Sequence, residues 1–501
     1  MARRRFLPLA LLLVAASLVP TDLVSAALFN RNDFPKGFLF GASSAAYQYE
    51  GAAHLRGETV WDKFVRDFPD KITDGSNASV ADDFYHRYKE DIKVMKEIGL
   101  DVFRFSISWA RILPHGKVSK GVNKEGIAFY HSLINELIAH GIKPVATLYH
   151  FDLPQALEDE YGGLLSPKFQ EDFHDFADLC FHLYGDRVKQ WITFNEPYVF
   201  IFLGYGLGNM PPGRCSAWLN NSCPGGDSAT EPYTAGHNVL LAHAKAVRLY
   251  QKKYQATQKG EIGITLNVPW MYPDTNTIQD KRAAMRALDF MYGWFIHPVV
   301  YGDYPRTMRT LVRDRLPKFN ATETLLVKGS YNFIGLNYYT SYYVVHVPFS
   351  NKPAHLSFSS DSYTTMSSEN TNGSAVGYVV GTSYSAPEGL EKILVYTKEQ
   401  YNNPELYITE NGMAFYNNQT VAESIKDPER ITFYKAHLKA IEAAIRQGVA
   451  LKGFMAWSWL DTFEWNSGYS VGYGLNYVDF KNGLKRYLKE SALWYKRFLA
   501  P

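Results

Sequence analysis

A single closed (β/α)8 barrel is the fold class this sequence predicts, and three observations carry the prediction. Eight short runs have strand composition, they are apolar nearly throughout instead of alternating, and helical patterns lie between them. Continuous apolar strands are expected in a parallel sheet covered on both faces. Strands that alternate with helices close such a sheet into a barrel with the helices outside. The alternative, an open doubly wound sheet, carries a glycine-rich phosphate turn after its first strand. Phe40-Gly41-Ala42-Ser43-Ser44 is no such turn.

The eight strands are read as Phe38–Ser43, Val102–Ser108, Pro144–His150, Trp191–Glu196, Glu261–Asn267, Asn332–Thr340, Leu406–Glu410 and Leu451–Leu460. Between the second and third, Ile127, Tyr130, Leu133, Ile134, Leu137 and Ile138 repeat at helical spacing, and Gly141 ends that helix. Ser166-Pro167 opens the next, whose stripe is Phe169, Phe173, Phe176, Cys180 and Tyr184, stopping at Gly185. Another helix covers Phe433–Gln447 and stops at Gly448. Phe349–Ser385, rich in Ser, Thr, Asn and Gly, reads as a long surface loop after strand six.

Composition bounds the function. The chain of 501 residues is 46% apolar, enough for a large core, and its net charge of +2 lacks the basic excess that a nucleic-acid partner requires. Arg3, Arg4 and Arg5 precede the apolar run Phe6–Pro20 and the small-residue site Val24-Ser25-Ala26. This is the pattern of a cleaved signal peptide, residues 1–26, which leaves 27–501 as one domain. The run is shorter than the roughly 20 residues that span a bilayer, and no later run is long enough, so no membrane segment is expected. Five acceptor sequons, at Asn77, Asn220, Asn320, Asn372 and Asn418, agree with a secretory route. In an oxidising compartment Cys215 and Cys223, bracketing a short polar loop, are expected to pair, and Cys180 reads as a buried thiol on a helix face.

Chemistry is expected at the carboxyl ends of barrel strands. Trp191-Ile192-Thr193-Phe194-Asn195-Glu196-Pro197 runs from apolar strand into a polar pair and a breaker. The proline is expected to hold Glu196 extended. Ile408-Thr409-Glu410-Asn411-Gly412 repeats the form at strand seven. Two glutamates facing each other can divide acid and nucleophile work; the alternative is a pair of ordinary solvated carboxylates. Other strand ends supply Gln48, Glu50, Arg104, His150, Asp152, Asn195, Asn337, Tyr339, Trp457, Glu464 and Trp465. Amide, imidazole, carboxylate and indole groups on one rim suit a polyol, whose hydroxyls need paired donors and acceptors and whose apolar face stacks on indole. None of these patterns calls for a metal or cofactor.

Thr193-Phe-Asn195-Glu196-Pro and Ile408-Thr-Glu410-Asn-Gly412 resemble the two signature motifs of glycoside hydrolase family 1, and the resemblance extends over most of the mature chain. Phe38–Gln48, Phe103–Pro114, His150-Phe-Asp-Leu-Pro154 and Phe463-Glu464-Trp465 fall where that family has its equivalents. Pro212-Gly-Arg-Cys215 to Cys223 resembles the plant β-glucosidase branch. The resemblance implies a retaining β-D-glucosidase without cofactor, acting on small β-glucosides and located in the cell wall or vacuole. Glu196 would be acid/base and Glu410 nucleophile, about 5–5.5 Å apart. Gln48, His150, Asn195, Glu464 and Trp465 would hold the sugar with Trp457 beneath it, and Tyr339 and Tyr473 beside it. Arg104, Tyr339 and Asn337 would support the nucleophile. Val471-Gly472-Tyr473 stands where Val-Arg-Phe is common. Thr382 stands where plant members carry a tryptophan shelf for the aglycone, which implies a wider, less aromatic mouth beside an adaptable Ser357–Ser383 segment. A transglucosidase of the same fold, or a binding protein with a dead site, would be the competing functions.

Overall fold

The computed structural model describes residues 29–350 and 355–500. The expected signal peptide lies outside the described residues. Eight strands close a parallel barrel: β1 (Leu39–Ser43), β2 (Val102–Ser106), β3 (Lys143–Tyr149), β4 (Gln190–Asn195), β5 (Glu261–Asn267), β6 (Phe333–Asn337), β7 (Glu405–Asn411) and β8 (Leu451–Ala456). Each pairs with its sequence neighbours, and β8 returns to β1 through Leu39↔Gly453 to Ala42↔Ala456. Main helices follow the strands: α1 (Phe84–Ile98), α2 (Lys124–Ala139), α3 (Lys168–Tyr184), α4 (Glu231–Leu249), α5 (Ile278–Leu288), α6 (Pro387–Gln400), α7 (Pro428–Arg446) and α8 (Glu490–Leu499). Among the described residues no helix is long and apolar enough to cross a membrane.

The barrel interior explains why the strands look continuously apolar. Val102, Val145, Ile192, Phe333, Tyr407 and Met455 form a buried cluster at the amino-terminal end. Inward positions recur every second residue along a strand. Two steps up from Val102 is Arg104, and four steps up from Phe333 is Asn337. The inner face is therefore apolar at its floor and polar at its top, while the outer face packs on helices. Gly335 lies between these layers: a Cβ there would meet Thr265 Oγ1 at 2.2 Å, so the packed interior admits only glycine.

Some expectations are corrected. The last strand ends at Ala456, not Leu460, and the sixth at Asn337, not Thr340, because beyond these points the chain leaves the barrel to build the rim. On α2 the buried stripe is Phe129, Tyr130, Leu133, Ile134 and Leu137, whereas Ile138 is 43% exposed, having rotated past the contact face. The segment 349–385 is not a plain loop. It holds a helical turn (Phe358–Asp361) and the strands Thr364–Ser367, Tyr378–Val380 and Ser383–Ser385. Phe358 is buried against Trp294 (ring centroids 4.7 Å apart), and Asp361 takes two bonds from Arg315 and one from Tyr233. These contacts tie down a stretch expected to adapt. Cys215 and Cys223 are joined, and Cys180 is free and buried. All five sequon asparagines are exposed.

Candidate active site

A cavity of about 200 Å3 opens at the carboxyl ends of the strands. Its walls bring together His150, Asn195, Glu196, Tyr339, Glu410, Trp457, Glu464, Trp465 and Tyr473, drawn from the ends of five strands that are far apart in sequence.

Local packing aims each glutamate. On β4, Phe194 points outward and stacks on Phe173 at 4.4 Å, while Thr193 bonds His243 at 2.6 Å and is buried. Asn195 and Glu196 follow at the rim. Glu196 is not extended as expected: φ is +45° and ψ +60°. Proline excludes the right-handed helical region for the residue before it, but not the left-handed one, and the chain here turns directly from β4 into the short helix Pro197–Ile201. Such a conformation costs a non-glycine residue about 1–2 kcal/mol; the Glu196 N–H bond to Thr265 O at 2.9 Å helps fix it. Phe151 and Trp465, on the same cavity wall, also have positive φ, +72° and +50°. Three left-handed non-glycine residues thus stand on this cavity wall, where side chains must be presented. On β7, Asn411 Nδ2 donates to Tyr338 O at 2.7 Å, and Gly412 passes so close to Trp457 that a Cβ would sit 1.9 Å from its carbonyl oxygen. That contact explains the Glu-Asn-Gly run.

The two glutamates have opposite surroundings. Glu410 Oε1 accepts from Arg104 Nη1 at 2.5 Å, and Oε2 accepts from Tyr339 OH at 2.7 Å. Arg104 is fully buried and also donates to Asn195 Oδ1 at 2.6 Å and Thr147 Oγ1 at 3.2 Å. Glu196 Oε1 accepts from Asn337 Nδ2 at 2.8 Å. Burial, and then the charge of Glu410, push its carboxyl up to about 8, against the opposing pull of Asn337, Arg104 and Asn267. One carboxylate is thus paired with a guanidinium and a phenol, and the other is held as an acid beside it.

The remaining groups form a polar ring. His150 Nε2 accepts from Asn195 Nδ2 at 3.1 Å, which leaves the proton on Nδ1, a buried atom with no protein partner. Burial and Arg104 hold this imidazole neutral by pushing its pKa well down. Gln48 Nε2 donates to Phe463 O at 2.8 Å and Glu464 Oε2 at 3.2 Å, and its Oε1 is buried without a protein partner. Glu464 is partly open to the cavity; desolvation and Glu410 push its carboxyl up to about 8. The rings of Trp457 and Trp465 lie nearly parallel to His150, at 5.9 and 6.0 Å.

Every residue expected to bind or support is found in or directly against this cavity. Glu50 and Asp152 are not. Glu50 takes bonds from Arg111 and Tyr130 at 2.7 and 2.6 Å behind the wall. Asp152 is buried, its carboxyl raised to about 7 by burial and Glu50. Four wall residues were not anticipated: Phe151, Val199, Met210 and Asn267. Asn267 ends β5 and was legible by the strand-end rule; Val199 lies in the short helix Pro197–Ile201 and Met210 in the irregular chain beyond it, and neither carries a sequence signal. Thr382 is exposed, bonded through its N–H to Ala414 O at 3.1 Å, and does not line the cavity. Tyr384 bonds Glu369 at the surface, and Tyr205 is buried in a neighbouring void, so neither stands at the cavity as an aromatic shelf.

Residues 30–500 match the model of glycosyl hydrolase family 1. The chain belongs to that family. Furcatin hydrolase of Viburnum furcatum is 54% identical over 468 residues, 93% of this chain and 86% of that protein. β-Glucosidase 12 of Oryza sativa subsp. indica is 52% identical over 480 residues, 94% and 93% of the two chains. Among solved structures, a mutant rice β-glucosidase in a covalent complex with Glc from GA4GE superposes with a TM-score of 0.92 at 46% identity, covering 94% of this chain and all of that one. Membership in glycosyl hydrolase family 1 accords with both the barrel and the paired carboxylates at the ends of β4 and β7.

Proposed function

We propose that this chain is a retaining β-D-glucosidase. It hydrolyses terminal non-reducing β-D-glucosyl residues of small glucosides or oligosaccharides through a covalent glucosyl-enzyme. The observation that carries the reading is the pair of buried glutamates in one cavity, one ion-paired to Arg104 and the other raised to about 8. The rice structure holding Glc covalently supports the same reading.

In this reading Glu410 attacks the anomeric carbon while Glu196 gives its proton to the departing oxygen. Esterification removes the charge of Glu410, which was the second cause of the raised pKa of Glu196. Glu196 then releases its proton more easily and serves as base toward water. Tyr339 and Arg104 hold the nucleophile in line. Gln48, His150, Asn195, Glu464 and Trp465 take the sugar hydroxyls, with Trp457 and Tyr473 against its apolar surface. Losing one such contact leaves a buried polar group unpaired at about 1–3 kcal/mol. That cost favours β-D-glucose over sugars in which one of these hydroxyls is missing or inverted. The signal-peptide pattern and five exposed sequons support glycosylation at Asn77, Asn220, Asn320, Asn372 and Asn418 on a secretory route to the cell wall or vacuole. The test is trapping with a 2-deoxy-2-fluoroglucoside carrying a good leaving group. Mass spectrometry is expected to find the label on the peptide containing Glu410; a label on any other carboxylate would overturn the assignment.

A further inference from the structure

Two further voids lie in line beside the catalytic cavity, each sharing wall residues with the next. The catalytic cavity shares Phe151 and Met210 with a small enclosed cavity. That cavity shares Val60, Glu158 and Pro212 with a groove of about 350 Å3 open to solvent, which carries the charged residues Lys63, Asp67, Asp159 and Arg214 beside the disulfide loop. The middle cavity measures about 10 Å3, room for a single water at a time.

Glu158 stands where the groove meets the middle cavity. Its Oε2 is buried and has no protein hydrogen-bond partner. Gly163 makes room for it: a Cβ at that position, where φ is +52°, would lie 2.1 Å from this oxygen. A buried, unpaired carboxyl oxygen is costly unless a water satisfies it. Burial raises this carboxyl to about 7, against the pull of Arg214, so near neutral pH it both donates to and accepts from a water. The rest of the middle cavity is walled by apolar and aromatic side chains, Leu164, Phe200 and Tyr205 among them, which hold a water weakly and pass it on.

We propose that this line of voids is a lateral water inlet to the catalytic cavity, and that Glu158 is a water-positioning residue that sets the partition of the glucosyl-enzyme between hydrolysis and transfer to alcohols. The inference rests on the retaining reading above. In the second half of that reaction the water oxygen bonds to the anomeric carbon. The carbon–oxygen bond to Glu410 breaks, its electron pair returns to the carboxylate, and the water proton goes to Glu196. An acceptor larger than water enters only through the mouth, because the middle cavity has no room for it. Water arriving past Phe151 and Met210 competes with such an acceptor from a separate side.

The experiment measures partition in Glu158→Leu, which keeps the shape and removes the polar atoms, and in Glu158→Gln, which keeps polarity. Each is turned over on 4-nitrophenyl β-glucoside with benzyl alcohol present. The benzyl glucoside to glucose ratio and the initial nitrophenol burst are recorded. Glu158→Leu is expected to raise the ratio about fivefold, the factor one lost hydrogen bond carries, with a burst rate within about twofold of the parent. Glu158→Gln is expected to stay near the parent ratio, and methanol, small enough to follow water, to show a smaller shift than benzyl alcohol. Val60→Leu, which fills the middle cavity without touching charge, is expected to move the ratio in the same direction and keeps the test open if Glu158→Leu does not fold. An unchanged ratio in the folded variants overturns the inlet. Loss of retention in the parent enzyme itself would instead count against the retaining reading.

Discussion

Glu196→Gln separates the acid from the rest of the site. The amide retains an Oε1 that accepts from Asn337 Nδ2, a bond of 2.8 Å in the parent. It has almost the volume of the carboxyl it replaces, so the cavity keeps its shape. What is lost is one proton, carried by a group that burial and Glu410 raise to about 8. General acid catalysis by a positioned side chain contributes about 10²–10⁴-fold, or about 3–5 kcal/mol of barrier at about 1.4 kcal/mol per decade. That loss falls only on leaving groups that need the proton. The assay is kcat/KM across aryl β-glucosides of graded phenol acidity. Alkyl and weakly acidic phenyl glucosides are expected to lose about 10³-fold, and a dinitrophenyl glucoside less than about tenfold, so the dependence on leaving-group acidity steepens. A uniform loss across the series would mean that residue 196 shapes the pocket without donating a proton.

Further expectations follow from the same geometry. Glu410→Gly is expected to abolish hydrolysis in a folded protein and, with azide, to yield α-glucosyl azide by nuclear magnetic resonance; the β-azide would contradict its role. In the parent enzyme kcat/KM is expected to fall as pH rises through about 8, where the Glu196 acid form is lost; an activity that keeps rising past pH 9 would contradict it. Thermal stability carries a matching sign. Glu196 is raised from 4.5 to about 8 in the folded state, so its contribution is complete below pH 4.5 and is lost as pH climbs through 8. Glu196→Gln is therefore expected to melt a few degrees above the parent at pH 8 and level with it near pH 4.5; equal melting at both would show the carboxyl is not desolvated. On the cavity wall, Met210→Ala is expected to lower kcat/KM for aryl over alkyl glucosides about tenfold, since Met210 lines the cavity and a thioether packs favourably on an aromatic ring. Thr382→Trp is expected to change it less than threefold, because Thr382 is exposed and bonded to Ala414.

Much of this was legible because a parallel barrel writes its strands as short apolar runs and its site at their carboxyl ends. Glu261–Asn267 was read with its observed bounds, and Gln48, Arg104, His150, Asn195, Glu196, Asn337, Tyr339, Glu410, Trp457, Glu464 and Trp465 all came from rim positions, whereas Tyr473 came from the family resemblance alone. Conformation at single residues was less legible. The pre-proline rule excludes one region of backbone space for Glu196 and leaves two, and tertiary contacts selected the left-handed one. Phe151 and Met210 lie in irregular chain and Val199 in a helix of five residues, too short for periodicity to mark which side chain turns inward. The 349–385 segment read as loop by composition, yet Phe358 and Asp361 anchor it through partners distant in sequence. Glu50 and Asp152 carry rim-like positions and face away, since a strand end supplies two directions and sequence fixes only one of them.

The central claim, retention through a Glu410-linked intermediate, is tested most directly by following the anomeric proton of the first glucose released. A β-glucoside mixed with the enzyme in an NMR tube is expected to give β-glucose first, with the α-anomer appearing only at the rate of spontaneous mutarotation. Appearance of α-glucose as the initial product would mean direct displacement by water and would contradict the account.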